Sequence, residues 1–396
     1  MDAYPALSTT PRRLLMGPGP SNVHPRVLAA MATPLVGHLD PAFLEIMNRT
    51  RDLLRFVFQT ENELTLPIAG TGSAGMEAAL CNLLEEGDEI LIAVNGYFGD
   101  RLSEMAVRCR ARLRRLEVPW GEVFRPEQVE KALREHPPKV LAMVHAETST
   151  GALQPVEEMV RLAHEHGVLF LLDTVTSLGG VPVEVDRWGV DACYSGTQKC
   201  LSCPPGLAPI TFGTAAREAL RNRRTKVQSW YLDLGLIQQY WGQERIYHHT
   251  APISMNYALY EALRLIHEEG LAARFARHRL NAEALWAGLE AMGLELLVPL
   301  EYRLPTLNTV RIPEGVNDAR VRGRLLNEHG IEIGGGLGEL KGRIWRIGLM
   351  GYSSSGENVL QFLGALERVL RAEGLRLSPG AGARAAAGVL ERGAGS

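Results

Sequence analysis

The 396-residue chain has little of what marks secreted, membrane-spanning or nucleic-acid-binding proteins. Its cysteines number five, at positions 81, 109, 193, 200 and 203. They are too few and too unevenly spaced for a disulfide framework, which points to a reducing compartment. No stretch approaches the roughly 18 apolar residues that cross a bilayer, and the first twenty residues lack the apolar core of a signal peptide. A cytoplasmic protein is expected. Neither sign of charge is in excess, with 42 Lys and Arg against 45 Asp and Glu. The net charge of −3 gives no field that draws in nucleic acid or an anionic membrane, so a small-molecule substrate is expected. No internal repeat is present. No second ligand pair accompanies Cys200-Leu-Ser-Cys203, so these two read as small buried thiols rather than a zinc or redox pair. His248 and His249 also read as structural, because adjacent side chains on a strand point apart. No metal is expected.

What is present is a chain with 46% hydrophobic residues, long enough for two or three units around sizeable cores. After a Pro/Gly-rich entry at Gly17 to Pro25, short apolar runs alternate with helical patterns. Leu64 to Ile68, Glu89 to Val94, Val140 to His145 and Val168 to Leu172 read as strands, and Met76 to Leu84, Glu127 to Glu135 and Val156 to His166 as helices between them. Such alternation predicts a parallel sheet covered on both faces. Ser254 to Met292 is helical apart from Gly270. Beyond it, strand-like Leu294 to Val298, Asn308 to Ile312 and Arg343 to Leu349 interleave with helical Asp318 to Glu328 and Glu357 to Arg371. The division expected is an arm over 1–25, a large domain over 26–270, a smaller α/β domain over 271–375 and a disordered tail over 376–396, the tail being rich in Ala, Gly and Arg without apolar periodicity.

Gly70-Thr-Gly-Ser-Ala-Gly75 follows a predicted strand and opens a predicted helix, where free backbone N–H groups and the helix dipole suit a phosphate. Its spacing also fits the dinucleotide fingerprint, which makes a nicotinamide-dependent dehydrogenase a competitor. That fingerprint calls for an acid at the far end of the next strand, and Asn95 stands there. A glycine-rich helix entry with no ligand is the plain alternative.

The apolar strand from Val168 ends in Asp173, and Tyr194-Ser-Gly-Thr-Gln-Lys199 places a lysine after another short strand. Both fall at the carboxyl ends of strands, where α/β sheets bind ligands. Pyridoxal chemistry needs an amine for an imine and a carboxylate that keeps the pyridine nitrogen protonated. Each residue alone is more simply a helix cap or a solvated loop lysine. Their order downstream of a phosphate loop favours the joint reading.

The run Asp173-Thr-Val-Thr-Ser-Leu-Gly-Gly180, Lys199 with its preceding segment, and Pro204-Pro-Gly206 resemble the class V aminotransferases, specifically the alanine–glyoxylate (serine–pyruvate) aminotransferase family. Further marks are Asn95 to Gly99, His145 to Gly151, Tyr247 to Thr250 and Arg346 to Leu349, so the likeness runs from about Gly17 to about Leu370. It implies a pyridoxal 5'-phosphate enzyme of fold type I, an α/β fold with a large domain whose mostly parallel sheet lies between helices and a smaller C-terminal α/β domain. It implies Lys199 as the Schiff-base lysine and Asp173 as partner of the ring nitrogen. Thr71, Gly72, Ser73 and Gln198 are implied as holders of the phosphate, with Ser73 where the family usually has His. Phe98 matches a ring-stacking aromatic that is commonly Trp, Val175 an apolar residue on the opposite face, and Thr148 a hydroxyl near the phenolic oxygen. Arg346 matches the arginine that holds the substrate carboxylate through two parallel hydrogen bonds, and Gly19 a position lining the substrate. Tyr247 and Thr250 match residues that reach the phosphate of the partner subunit in a homodimer.

The activity implied is two-stage amino transfer from alanine or serine to glyoxylate or pyruvate. Ureidoglycine and hydroxykynurenine are alternative donors among relatives of this pattern. A cysteine desulfurase would need a mobile thiol, and Cys200 and Cys203 lie too near the lysine. A dehydrogenase is disfavoured by Asn95, and a catalytically silent scaffold by the survival of every key position.

Overall fold

The computed structural model describes residues 7–394. Seven strands build the main sheet: β1 (Leu64–Ala69), β2 (Glu89–Val94), β3 (Arg112–Glu117), β4 (Val140–Val144), β5 (Leu169–Asp173), β6 (Ala192–Tyr194) and β7 (Leu207–Phe212). They lie in the order β1-β7-β6-β5-β4-β2-β3. All neighbours are parallel except β7, which runs antiparallel to both β1 and β6. The apolar runs are unbroken because both faces are covered. Ile90, Ile92 and Val94 enter one core with the helices Gly72–Leu83 and Tyr97–Arg108, while Leu91 and Ala93 enter the other with Pro126–Glu135 and Glu157–Glu165. Parallel register sets Val144 beside Asp173 and Asp173 beside Tyr194, so the carboxyl ends of three central strands form one ledge.

The predicted long helical stretch is two helices, Ile253–Glu269 and Leu271–Ala291, separated by Gly270. After them comes a three-stranded antiparallel sheet, β8 (Leu307–Arg311), β10 (Ile344–Gly348) and β9 (Gly334–Gly335), with β10 in the middle. Trp345 and Ile347 go into a third core with Val359, Phe362 and Leu366 of the helix Gly356–Ala372. Strand alternation therefore turns Arg346 to the opposite face.

The N-terminal segment joins the two sheets. Leu14–Leu15 pairs in parallel with Ile331–Glu332 of the smaller unit, and Met16 sits in its core. Seven residues after Leu14, Ser21 bonds the main sheet's lysine loop: its N–H donates to Gln198 O at 2.9 Å and its Oγ to Lys199 O at 2.8 Å.

Three expectations are corrected. Leu294–Val298 is not a ladder strand, since only Leu296 forms a bridge, to Val310. Tyr247 to Thr250 is irregular rather than a strand, so the His248 and His249 rings meet, Nδ1 to Nδ1 at 2.8 Å, instead of pointing apart. The tail expected to be disordered forms a helix, Ala381–Ala394, that packs Ala386, Val389 and Leu390 into the third core; its last two residues and residues 1–6 of the arm lie outside the described residues. The stripe formed by Ala386, Val389 and Leu390 is short and set among Ala, Gly and Arg, so the composition masked it in the sequence. Among the described residues no helix is long and apolar enough to cross a membrane.

Gly288 is one place where that helix comes close: a β-carbon there would meet the Leu363 side chain and stand 3.0 Å from Gly382 O. Gly288→Val is expected to destabilise the protein by roughly 1–3 kcal/mol, the usual cost of overpacking. A denaturant melt indistinguishable from wild type would show that the tail helix is not docked there.

Candidate active site

The ledge gathers the predicted residues from several elements. Thr71 precedes the helix Gly72–Leu83 and places no side-chain cap on it; Ala74 N–H donates to Thr71 O at 2.7 Å, which leaves the Gly72 and Ser73 N–H groups without an intrahelical partner. A β-carbon at Gly72 would lie 3.4 Å from Val175 Cγ2 and 3.5 Å from Gly196 Cα, which puts the helix N-terminus against the turns after β5 and β6. Gln198, in the second of these turns, has a buried Oε1 with no hydrogen-bond partner.

Asp173 ends β5 with its carboxylate buried. Oδ1 accepts from Val175 N–H at 2.8 Å and Oδ2 from the Tyr194 hydroxyl at 2.7 Å. Burial raises its pKa to about 6, against the pull of those two hydrogen bonds. Tyr194, the next strand's residue in register, is pushed well above its ordinary value by burial and by Asp173, and so stays a donor.

Lys199 is only 7% exposed, and its Nζ donates to Pro18 O. Gly19, at φ +104°, lies so close that a β-carbon would stand 2.7 Å from Lys199 Cδ and 2.8 Å from Nζ. Only glycine combines that backbone with that clearance. Burial first, and the charge of Arg346 second, lower the lysine's pKa to about 8. No ion pair joins Lys199 to Asp173, each being bonded elsewhere.

Arg346, also 7% exposed, donates from Nε to Gly335 O at 2.7 Å and from Nη1 to Thr148 O at 3.3 Å. Among the described residues it has no carboxylate hydrogen-bond or ion-pair partner, and burial lowers its pKa to about 10. The Thr148 hydroxyl meets that of Thr176. Phe98 opens the helix Tyr97–Arg108, and its N–H donates to Glu147 Oε2 at 3.2 Å. Glu147 also accepts from Ser149 N at 2.9 Å and Ser149 Oγ at 2.6 Å, and burial raises its pKa to about 7.

Tyr247 and Thr250 are not brought to this ledge within one chain. Tyr247 is 57% exposed, and its hydroxyl meets that of Thr250 at 3.4 Å. The sequence did not single out Tyr194, Glu147 or Arg101 for roles, although the first two fall inside quoted motifs. Arg101 lies three residues beyond Phe98, the spacing that puts it on the same helix face. Cys200 and Cys203 are free, buried thiols, and Asn95 donates to Glu122 O at 3.0 Å.

An amine and a carboxylate buried but unpaired, a cup of uncapped N–H groups and an unmatched Gln198 oxygen fit a molecule with an aldehyde, a ring nitrogen and a phosphate. The architecture around them is that of the pyridoxal-phosphate-dependent aminotransferases. The profile of the family described as aminotransferase class-V matches residues 14–343, and the chain belongs to that family. A crystal structure of alanine–glyoxylate aminotransferase from Nostoc sp. superposes with a TM-score of 0.92 at 57% identity, covering 94% of this chain and 98% of that one. The ureidoglycine–glyoxylate aminotransferase structure from Bacillus subtilis gives 0.95 at 45% identity, covering 96% and 99%. Among curated relatives, alanine–glyoxylate aminotransferase of Mus musculus is 42% identical over 92% of this chain and 89% of its own.

The position of Lys199 sets its reactivity in the cofactor-free protein. Reductive methylation by formaldehyde, followed by mass spectrometry of the Lys199 peptide, is expected to rise with pH through a midpoint near 8, because the neutral amine is the reactive form. A midpoint near the ordinary lysine value of about 10.4 would contradict the desolvated setting.

Proposed function

We propose that this chain binds pyridoxal 5'-phosphate through Lys199 and transfers an amino group from alanine or serine to glyoxylate, or to pyruvate, at a small-amino-acid site. The observation that carries the reading is Arg346: a buried guanidinium with no carboxylate partner among the described residues, whose charge acts on a desolvated lysine amine. A cation so placed costs stability unless an anion completes it, and an amino or keto acid carboxylate accepts its two-pronged donation.

The remaining roles follow from chemistry. The cofactor, when bound, supplies an electron sink for the bond broken at the substrate α-carbon. Thr71, Gly72, Ser73 and Gln198 would hold its phosphate, Phe98 and Val175 the two faces of its ring, and Thr148 the phenolic edge. Asp173, kept anionic by Tyr194 and the Val175 N–H, would hold a proton on the ring nitrogen. The Lys199 amine is largely neutral above about pH 8. It would serve as the base that takes the α-proton and delivers it to the cofactor carbon that bore the aldehyde oxygen, on the far side of the shared nitrogen. Arg346 orients the substrate by its carboxylate, Gly19 leaves space for a small side chain beside the lysine, and burial of the ledge excludes water.

Tyr247 and Thr250 take their place if two copies pair and each lends these exposed hydroxyls to the other's cup. A homodimer is therefore part of the proposal, in the cytoplasm. The Bacillus subtilis relative named as (S)-ureidoglycine–glyoxylate transaminase, 44% identical over 96% of both chains, supports ureidoglycine as the second reading for the donor. Rates with alanine, serine and ureidoglycine against glyoxylate and pyruvate decide between them.

Lys199→Ala is expected to abolish turnover and the internal chromophore while retaining some cofactor. Borohydride trapping of the cofactor on another lysine peptide would place the linkage elsewhere. Arg346→Lys is expected to lower kcat/KM for alanine and for glyoxylate about 10- to 100-fold, the equivalent of a charge-assisted hydrogen bond of roughly 1.5–3 kcal/mol. Unchanged values for both would remove Arg346 from the site. Mixing Lys199→Ala with the inactive Tyr247→Phe/Thr250→Ala variant is expected to restore up to about a quarter of wild-type activity, because one site of each heterodimer is then intact. No recovery after demonstrated subunit exchange would refute shared sites.

A further inference from the structure

Arg101 stands at the rim of the phosphate cup and has no place in the roles assigned above. It lies on the helix Tyr97–Arg108, and its guanidinium carbon is 4.8 Å from the centroid of the Phe98 ring and 5.4 Å from that of Tyr97. The guanidinium thus lies against both rings, at the side of the ledge. Nη1 donates to Ser73 Oγ at 3.3 Å, and this is its only hydrogen bond among the described residues. A guanidinium has five N–H donors, so most are unused.

Its charge is equally unmatched. Other arginines around this helix have carboxylate partners: Arg108 has Glu104 at 2.6 Å and Arg110 has Glu86 at 2.9 Å. The acid adjoining Arg101 in sequence, Asp100, is turned to Arg115 at 2.7 Å. Arg101, half-buried, has none among the described residues. It meets instead the uncapped start of the helix Gly72–Leu83, itself a centre of partial positive charge. Two positive ends facing each other without an anion between them are mutually repulsive, and a dianion placed between them relieves both. The charge is felt further in, where it lowers the pKa of both Asp173 and Lys199.

We propose that Arg101 is the charged ligand of the cofactor phosphate, held over the cup by Phe98 and registered by the Ser73 hydroxyl. Ser73 is too short and too neutral to supply a cation itself, and the guanidinium reaching it from the neighbouring helix does so. This rests on the reading of the ledge as a pyridoxal-phosphate site and adds a residue to it. One consequence is a link between ring and phosphate recognition, since the same side chain lies on Phe98 and on the phosphate loop.

The test compares cofactor-free wild type and Arg101→Met for binding of pyridoxal phosphate, of pyridoxal without the phosphate, and of inorganic phosphate as competitor. Methionine keeps an apolar stem over Phe98 and removes the charge. The expected result is that Arg101→Met weakens pyridoxal phosphate about 10- to 100-fold, weakens competition by inorganic phosphate in parallel, and leaves pyridoxal within about twofold. Arg101→Lys, which keeps a single charge without the fork, is expected to fall between and serves if the methionine variant does not fold. Unchanged affinity for pyridoxal phosphate overturns the proposal. So does equal weakening of pyridoxal and pyridoxal phosphate, which would make Arg101 a support for Phe98 alone. Wild type that binds neither form overturns the underlying cofactor reading, a different result from either of these.

Discussion

The constraint on which this structure turns is that a lysine amine and an aspartate carboxylate are buried on one ledge and kept from pairing. Desolvation moves them in opposite directions, Asp173 up to about 6 and Lys199 down to about 8. Direct contact would relieve both. Tyr194 and the Val175 N–H hold the carboxylate from one side, and Pro18 O holds the amine from the other. Such unrelieved burial is costly in a folded protein. It persists at sites where a ligand completes the arrangement, and the space between these two groups is where a ring bearing an aldehyde at one end and a nitrogen at the other would lie.

Much of the fold serves to keep that ledge rigid. The arm that begins at Leu14 is anchored to Ile331–Glu332 in the smaller unit, then passes over Lys199 and bonds the lysine loop through Ser21. Behind the loop, Arg274 donates to Gly179 O at 2.7 Å and to Cys200 O at 2.5 Å from the helix Leu271–Ala291. Arg346 arrives by strand alternation, because Trp345 and Ile347 on either side are committed to the core of the smaller unit. The two units thus meet at the site, one supplying the lysine and aspartate and the other the arginine.

Four strands of the main sheet, Leu64–Ala69, Glu89–Val94, Val140–Val144 and Leu169–Asp173, were legible because they are unbroken apolar runs. The placing of Asp173 and Lys199 at the ends of strands, and of Gly70 to Gly75 between a strand and a helix, was legible through residue type and order, whereas Arg346 was singled out only by the family resemblance. Other features depend on partners distant in sequence. Arg112–Glu117, an edge strand of charged residues, carries no apolar run to announce it. The tail helix Ala381–Ala394 carries only a short stripe, Ala386, Val389 and Leu390, set among Ala and Gly. Tyr194 gains its role only by lying in register with Asp173, and Arg101 only because the Asp100 carboxylate turns to Arg115 and leaves its neighbour unmatched. Tyr247 and Thr250 are exposed within one chain.

The central claim is that Asp173 is held as an anion so that it can keep a bound ring nitrogen protonated. Asp173→Asn preserves shape and can still bond Tyr194, but it removes the charge. The decisive measurement is the stopped-flow rate of the first half-transfer from alanine, with the linkage to Lys199 confirmed in the same sample by borohydride reduction. The account predicts a fall of about 100-fold or more with the cofactor still attached to Lys199, the scale of losing a positioned electrostatic or proton-holding group. A rate within about threefold of wild type, with the linkage intact, would contradict it.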